Sequence, residues 1–96
     1  MIIAKVVGTA VASVKMDALK AKKLLVVRQT DAKGDATGPL LLAVDLVGAG
    51  EDELVIVSQG SSARMVVGND RSPADAAVVG ILDSVRCDGE MIFRKD

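Results

Sequence analysis

Ninety-six residues fit one folded unit and leave little room for a second. Half are hydrophobic but only Phe93 is aromatic, so the interior has to be built from Val, Leu, Ile and Ala. A net charge of −1 draws in neither nucleic acid nor an anionic membrane, and the absence of histidine removes the commonest general base and metal ligand.

Residues 2–14 alternate with a period of two. Ile2, Ala4, Val6, Gly8, Ala10, Ala12 and Val14 are apolar or small, while Lys5, Thr9 and Ser13 fall in the other phase beside Ile3, Val7 and Val11. This predicts a long first strand, bent at Gly8, of the kind that suits a small barrel. Residues 15–22 are a charged connection with one helical turn starting near Asp17. Residues 24–30 and 40–47 read as the second and third strands, and residues 31–39 between them are a turn by composition. Both strands are apolar in both phases, with Asp45 the exception in the third. A small antiparallel sheet normally turns one face to water, so this pattern points to an interface.

Gly48, Ala49 and Gly50 then turn the chain into Glu51, Asp52 and Glu53. A fourth strand, residues 53–59, ends at Gly60, Ser61 and Ser62. Residues 60–75 lack clear periodicity and are expected to form a long loop closed by Pro73. Residues 76–86 resume as a strand with a bend at Gly80. Asp88-Gly89 is a two-residue hairpin turn, and residues 90–95 are the return strand. The expected fold is all-β: one domain over residues 1–96, a small OB-like antiparallel barrel of five to six strands, partly open.

So short a chain cannot hide this much apolar surface in its own interior. Mean hydropathy is +0.38, yet nothing approaches the ~20 apolar residues of a membrane span, so the surplus points to subunit contact. Lys5 interrupts the apolar N-terminus too early for a secretory signal, and the single Cys87 forms no internal disulfide; both suit a cytoplasmic protein without membrane partners. Residues 1–33 carry seven Lys or Arg against two Asp, whereas residues 34–63 carry five acids and no base. That asymmetry is either solvated charge or one half of a head-to-tail ring contact.

The chemistry-bearing residues exclude more than they offer. Ser61 and Ser62 lack a nucleophile elbow, an activating imidazole and, on this reading, a following helix. Cys87 has no histidine partner, and its place in a strand suggests packing. Gly48-Ala49-Gly50 lacks the third glycine of a dinucleotide loop, and the acids after it repel phosphate. Asp45, Glu51, Asp52 and Glu53 lack calcium-loop spacing, so no metal or cofactor is expected. One aromatic residue and no basic excess argue against stacking on nucleic acid. What remains is assembly, with a ring-forming binding module for a small ligand or nucleic acid as the alternative.

The segments Asp45-Leu-Val-Gly-Ala-Gly-Glu-Asp-Glu53, Gly60-Ser-Ser-Ala-Arg64 and Pro73-Ala-Asp-Ala-Ala-Val-Val-Gly-Ile-Leu-Asp-Ser-Val85 together resemble the EutN/CcmL family. Ile3-Ala-Lys-Val-Val-Gly-Thr9 and Lys23-Leu-Leu-Val-Val27 extend the resemblance over essentially the whole chain. It implies an OB-like subunit whose homopentamers cap the vertices of bacterial microcompartment and carboxysome shells beside hexameric shell proteins, without enzymatic activity. It also implies that Gly48, Ala49, Gly50, Glu51, Asp52 and Glu53 meet the neighbouring hexamers. Here Asp52 stands where a glycine is common, and aspartate tolerates the left-handed backbone better than most residues. Gly60, Ser61, Ser62, Ala63 and Arg64 are placed in the ring, either between subunits or toward its axis. Arg64 either pairs with an acid of a neighbouring subunit or is solvated.

Overall fold

The computed structural model describes residues 1–13, 15–19, 22–67 and 74–96. Five strands close into a barrel in the order β1-β2-β3-β5-β4. They are β1 (Ile2–Ala10), β2 (Leu24–Thr30), β3 (Ala36–Asp45), β4 (Leu54–Gln59) and β5 (Ala76–Ile81). A helix, α1 (Ser61–Val67), links β4 to β5, and β6 (Ser84–Cys87) pairs with β7 (Glu90–Arg94) as a separate two-stranded hairpin. The all-β expectation stands with three refinements. The barrel is closed rather than partly open, the described residues hold seven strands, and the β3–β5 seam is parallel.

The interior is small because its residues are small. Ala4 and Val6 of β1, Leu25 and Val27 of β2, Ala43 of β3, Val55 and Val57 of β4, and Ala76 and Val78 of β5 form one buried cluster. Alternation puts these side chains inside and their strand neighbours outside. In β1 the pairing with β2 slips between Val6 and Gly8, so the bend expected at Gly8 is a bulge that leaves Val7 exposed. β1 ends at Ala10, short of the expected run, and Val14 lies outside the described residues. A single 3-10 turn at Asp17–Leu19 matches the expected helical turn.

Further boundaries differ from the sequence expectation, and the third strand, expected over residues 40–47, ends at Asp45. The turn placed at residues 31–39 is confined to residues 31–35, where Asp31 Oδ1 accepts hydrogen bonds from the Lys33 and Asp35 amides at 2.9 and 3.0 Å. β3 therefore starts at Ala36 and runs through Pro39, with a register break opposite Arg28 and Thr30 that accommodates a residue unable to donate to the ladder. The strand expected over residues 76–86 breaks in two. Leu82 N–H still donates to Leu54 O at 2.9 Å, and beyond Asp83 the chain leaves the barrel for the hairpin. At the hairpin tip Asp88 (φ 54°) and Gly89 (φ 80°) both have positive φ, the requirement of a type I′ turn.

The largest departure is α1, which occupies the first half of the loop expected over residues 60–75; residues 68–73 lie outside the described residues. Ala63 and Val67, four apart, are buried with Val44, Ala74 and Ala77 in a second cluster on the outer side of the barrel. One such pair in seven residues is too short a pattern for a periodicity reading to register. Because Ala63 is fully buried, Ala63→Leu overpacks the site and should cost about 1–3 kcal/mol. Ser62→Ala on the exposed face should change stability by less than about 0.5 kcal/mol. Chemical denaturation of the two variants checks the packing of α1.

Candidate functional site

The 48–53 loop begins at a carboxylate. Asp45, the last residue of β3, accepts hydrogen bonds at Oδ1 from the amides of Val47, Gly48 and Ala49 at 3.1, 3.0 and 3.3 Å. Three donors on one oxygen hold the chain in a tight curl that Gly48 completes with φ 76°, a backbone conformation L side chains rarely adopt. Ala49 drops into the barrel interior while Gly48 and Gly50 remain exposed.

The second half of the loop is a four-residue turn. Glu53 N–H donates to Gly50 O at 3.3 Å, and Asp52 at the third corner has φ 68°. Glycine is the ordinary occupant of that corner, and aspartate holds it at modest cost. The turn is stitched to β1 from both sides: Asp52 N–H donates to Val6 O at 2.8 Å, and Val6 N–H donates to Glu53 O at 3.0 Å.

Glu53 ties the loop to the C-terminus. Its Oε1 accepts from Gly50 N–H at 2.6 Å, and its Oε2 pairs with Lys95 Nζ at 2.5 Å. The Lys95 and Gly50 hydrogen bonds hold the Glu53 carboxyl below the ordinary carboxylate range, and the Glu53 bond pushes Lys95 up. A shallow groove of about 300 Å³ runs between Glu51, Asp52 and Glu53 on one side and Phe93, Arg94 and Lys95 on the other. This C-terminal wall was not foreseen from the sequence, because nothing local marks two segments forty residues apart as neighbours.

Gly60, Ser61, Ser62, Ala63 and Arg64 do not form a loop; contrary to the sequence reading, the serines lead into a helix. Gly60 N–H donates to Asp75 O at 2.7 Å, and Gly60 O accepts from Arg64 N–H at 3.2 Å in the first turn of α1. Ser61 and Ser62 are exposed, Ala63 is buried and Arg64 half-buried. The 48–53 and 60–64 segments lie at opposite ends of β4, about 20 Å apart along six residues, so they form two surfaces. Cys87, expected to pack, is exposed beside the hairpin tip. Among the described residues no three His, Cys, Asp or Glu side chains converge as a metal site.

A third surface is apolar. Leu40 and Leu42 of β3 point away from the interior and are 50% and 54% exposed. They lie beside Arg28 and Val26 of β2 in the ladder. This is the two-faced apolar pattern of the third strand made visible: Ala43 and Leu41 turn inward, Leu40 and Leu42 outward.

Residues 1–83 match the model of the family described as ethanolamine utilisation protein EutN/carboxysome. The chain is 43% identical over 96 residues to the carboxysome shell vertex protein CcmL of Nostoc sp., covering 99% of this chain and 95% of that one. It is 51% identical over 85 residues to the bacterial microcompartment shell vertex protein GrpN of Rhodospirillum rubrum, covering 88% and 96%. Among solved structures, the Nostoc sp. CcmL superposes with a TM-score of 0.91 over 99% of this chain and 100% of that one, at 43% identity. The structure described as the GrpN pentameric microcompartment shell protein superposes with a TM-score of 0.82, at 47% identity, over 91% and 99%.

Two predictions follow the geometry of the loop. Gly48→Ala should cost about 1–2 kcal/mol for backbone strain alone, since no atom lies within 4 Å of an added Cβ. Asp52→Gly should be neutral or stabilising by up to about 1 kcal/mol; thermal melting of both variants checks the pair. The Glu53–Lys95 pair sets a pH window. Glu53 is lowered from 4.5, so its contribution is whole above that value and is lost as pH falls through the folded-state value. Lys95 is raised from 10.5, so its contribution is whole below that value and is lost as pH rises through the folded-state value. Glu53→Gln should flatten both limbs of a stability-against-pH curve relative to the parent chain.

Proposed function

The chain belongs to the ethanolamine utilisation protein EutN/carboxysome family, and from that membership we infer that it is a shell vertex protein of a bacterial microcompartment, structural rather than enzymatic, acting as a pentamer. The observation in the chain itself that carries this reading is the Leu40/Leu42 face. Two large aliphatic side chains, half exposed on a closed barrel, are a surface that a subunit contact covers at a gain.

Within this reading the 48–53 loop faces the hexameric shell proteins around the vertex. Its backbone is held by Asp45, by β1 and by Glu53, so it is presented as a fixed shape, and Glu51 and Asp52 remain exposed at its crest. A preorganised loop loses little entropy on docking, which suits a contact made along the rim of a tile. The 60–64 segment serves the ring. Ser61 and Ser62 at the start of α1 are exposed, but so are Met65 and Val66 on the same short helix. Apolar neighbours of that size favour contact between subunits over a water-lined axial opening.

The native mass of the purified protein tests the ring, with five chains expected and a monomer or dimer at working concentration overturning it. Glu51→Arg tests the loop: the variant should keep the pentamer mass while its co-assembly with a hexameric shell protein falls about tenfold or more. Unchanged co-assembly would remove the 48–53 loop from the shell contact.

A further inference from the structure

The hairpin stands on the root of the 48–53 loop. Leu82, just before β6, donates its N–H to Leu54 O at 2.9 Å, and Lys95, just after β7, pairs through Nζ with Glu53 Oε2. Lys95 N–H also donates to Asp83 O at 2.8 Å, which ties the two feet of the hairpin together. Both feet therefore bear on consecutive residues, Glu53 and Leu54, where the loop passes into β4. Beyond its feet the hairpin is set off from the β1–β4 seam by a cleft of about 520 Å³ lined by Ile3, Ile56, Leu82 and Val85. β6 and β7 pair with each other and with no barrel strand, and a two-stranded hairpin on its own is marginal in water, so the feet decide where it sits. We propose that Lys95 is a positioning residue for the 48–53 loop, through which the hairpin fixes the shape that the loop offers to a hexameric neighbour; this rests on the shell-facing reading above.

The loop is held in two tiers. Its base is backbone: Asp52 N–H donates to Val6 O and Val6 N–H donates to Glu53 O, and neither bond depends on a side chain. Its corner at Gly50 is different. Gly50 O receives Glu53 N–H at a long 3.3 Å, whereas Gly50 N–H donates to the Glu53 side chain, at Oε1, at 2.6 Å. The stronger of these two bonds exists in one orientation of a long, flexible side chain, and fixing that orientation costs rotamer freedom. Lys95 on Oε2 holds the carboxylate by its second oxygen, and a carboxylate bound at both oxygens cannot turn away from the amide. Asp45 holds the Gly48 and Ala49 amides independently of the hairpin. The influence of Lys95 is thus felt at Gly50 and at the exposed Glu51 and Asp52 that follow it.

The size of the effect follows from the exposure of the pair. The Lys95 side chain is 43% exposed and that of Glu53 22%, so this is a solvent-screened contact that shifts a local equilibrium by a small factor. A corner that is ordered less of the time binds more weakly by the fraction of time lost. Local order and docking should therefore change together and by similar amounts.

Hydrogen exchange on the native protein tests this, read across residues 48–53 with β2 as the internal reference. Lys95→Met should speed exchange at the Gly50 amide by about two- to fivefold and leave β2 at the parent rate. Lys95→Arg should restore the parent rate at Gly50. Arg94→Met, which removes the same charge one residue away, should leave it unchanged. Mixed with a hexameric shell protein, Lys95→Met should co-assemble about two- to fivefold more weakly at unchanged native mass. Parent-like exchange at Gly50 in Lys95→Met overturns the proposal, and so does an equal effect from Arg94→Met. Glu51→Arg in the same co-assembly assay separates the proposal from the reading beneath it. No effect of Glu51→Arg removes the shell-facing loop, whereas weakened co-assembly for Glu51→Arg but not for Lys95→Met overturns the role given to Lys95.

Discussion

The narrowness of a five-stranded barrel governs the rest of this structure. Alternation delivers only two or so inward side chains per strand, and the interior accepts little beyond Ala, Val and one Leu from β2. Half the sequence is hydrophobic, so the barrel cannot absorb its own apolar content. Part of the excess lies outside the barrel interior beneath α1 at Val44 and Ala77, part on the bare β3 face at Leu40 and Leu42, and part in the cleft at Ile3 and Ile56. The first is covered by the chain itself. The other two stay bare on the single chain, and a small core thereby favours oligomerisation rather than merely accompanying it.

The same economy explains the loops. With no aromatic side chain in the barrel interior to anchor a connection, the 48–53 loop is fixed by backbone hydrogen bonds to two carboxylates. Asp45 gathers the amides of Val47, Gly48 and Ala49 at its start, and Glu53 takes Gly50 and Lys95 at its end. Charge-assisted hydrogen bonds to backbone amides are the stronger kind, and they need no volume in the interior. Ala49 is the one loop side chain that enters the core, and it is small enough to do so.

Strand positions were largely legible in the sequence because alternation and turn chemistry are local signals. β2 has the expected limits, β4 begins one residue later, and the Asp88-Gly89 tip has the positive φ pair that its residues announce. Failures occurred where tertiary contact overrides local pattern. Residues 36–39, with Gly38 and Pro39, read as turn but are drawn into β3 by pairing with β2. The sequence from Ser61 reads as loop but folds as α1, because the barrel offers Ala63 and Val67 a surface to bury against. The family motifs drew attention to the 48–53 loop and to the 60–64 segment, whereas the Lys95 partner of Glu53 and the cleft under the hairpin depend on contacts distant in sequence that carry no local mark.

Seen this way, the acidic crest has a division of labour within three residues. Glu53 is committed inside the chain, since its two oxygens serve Gly50 and Lys95, and its charge is balanced at short range. Its role is to hold the loop against the C-terminal strand. Glu51 and Asp52 are the exposed charges left on the turn, and Asp52 keeps its place at φ 68° where glycine would sit without strain. The basic excess of residues 1–33 is therefore not what neutralises Glu53, because a C-terminal lysine already does so. If charge contributes to docking at this vertex, it acts through Glu51 and Asp52 on a backbone whose shape is already set. In the proposed shell contact, shape would specify the fit and the two acids would steer the approach.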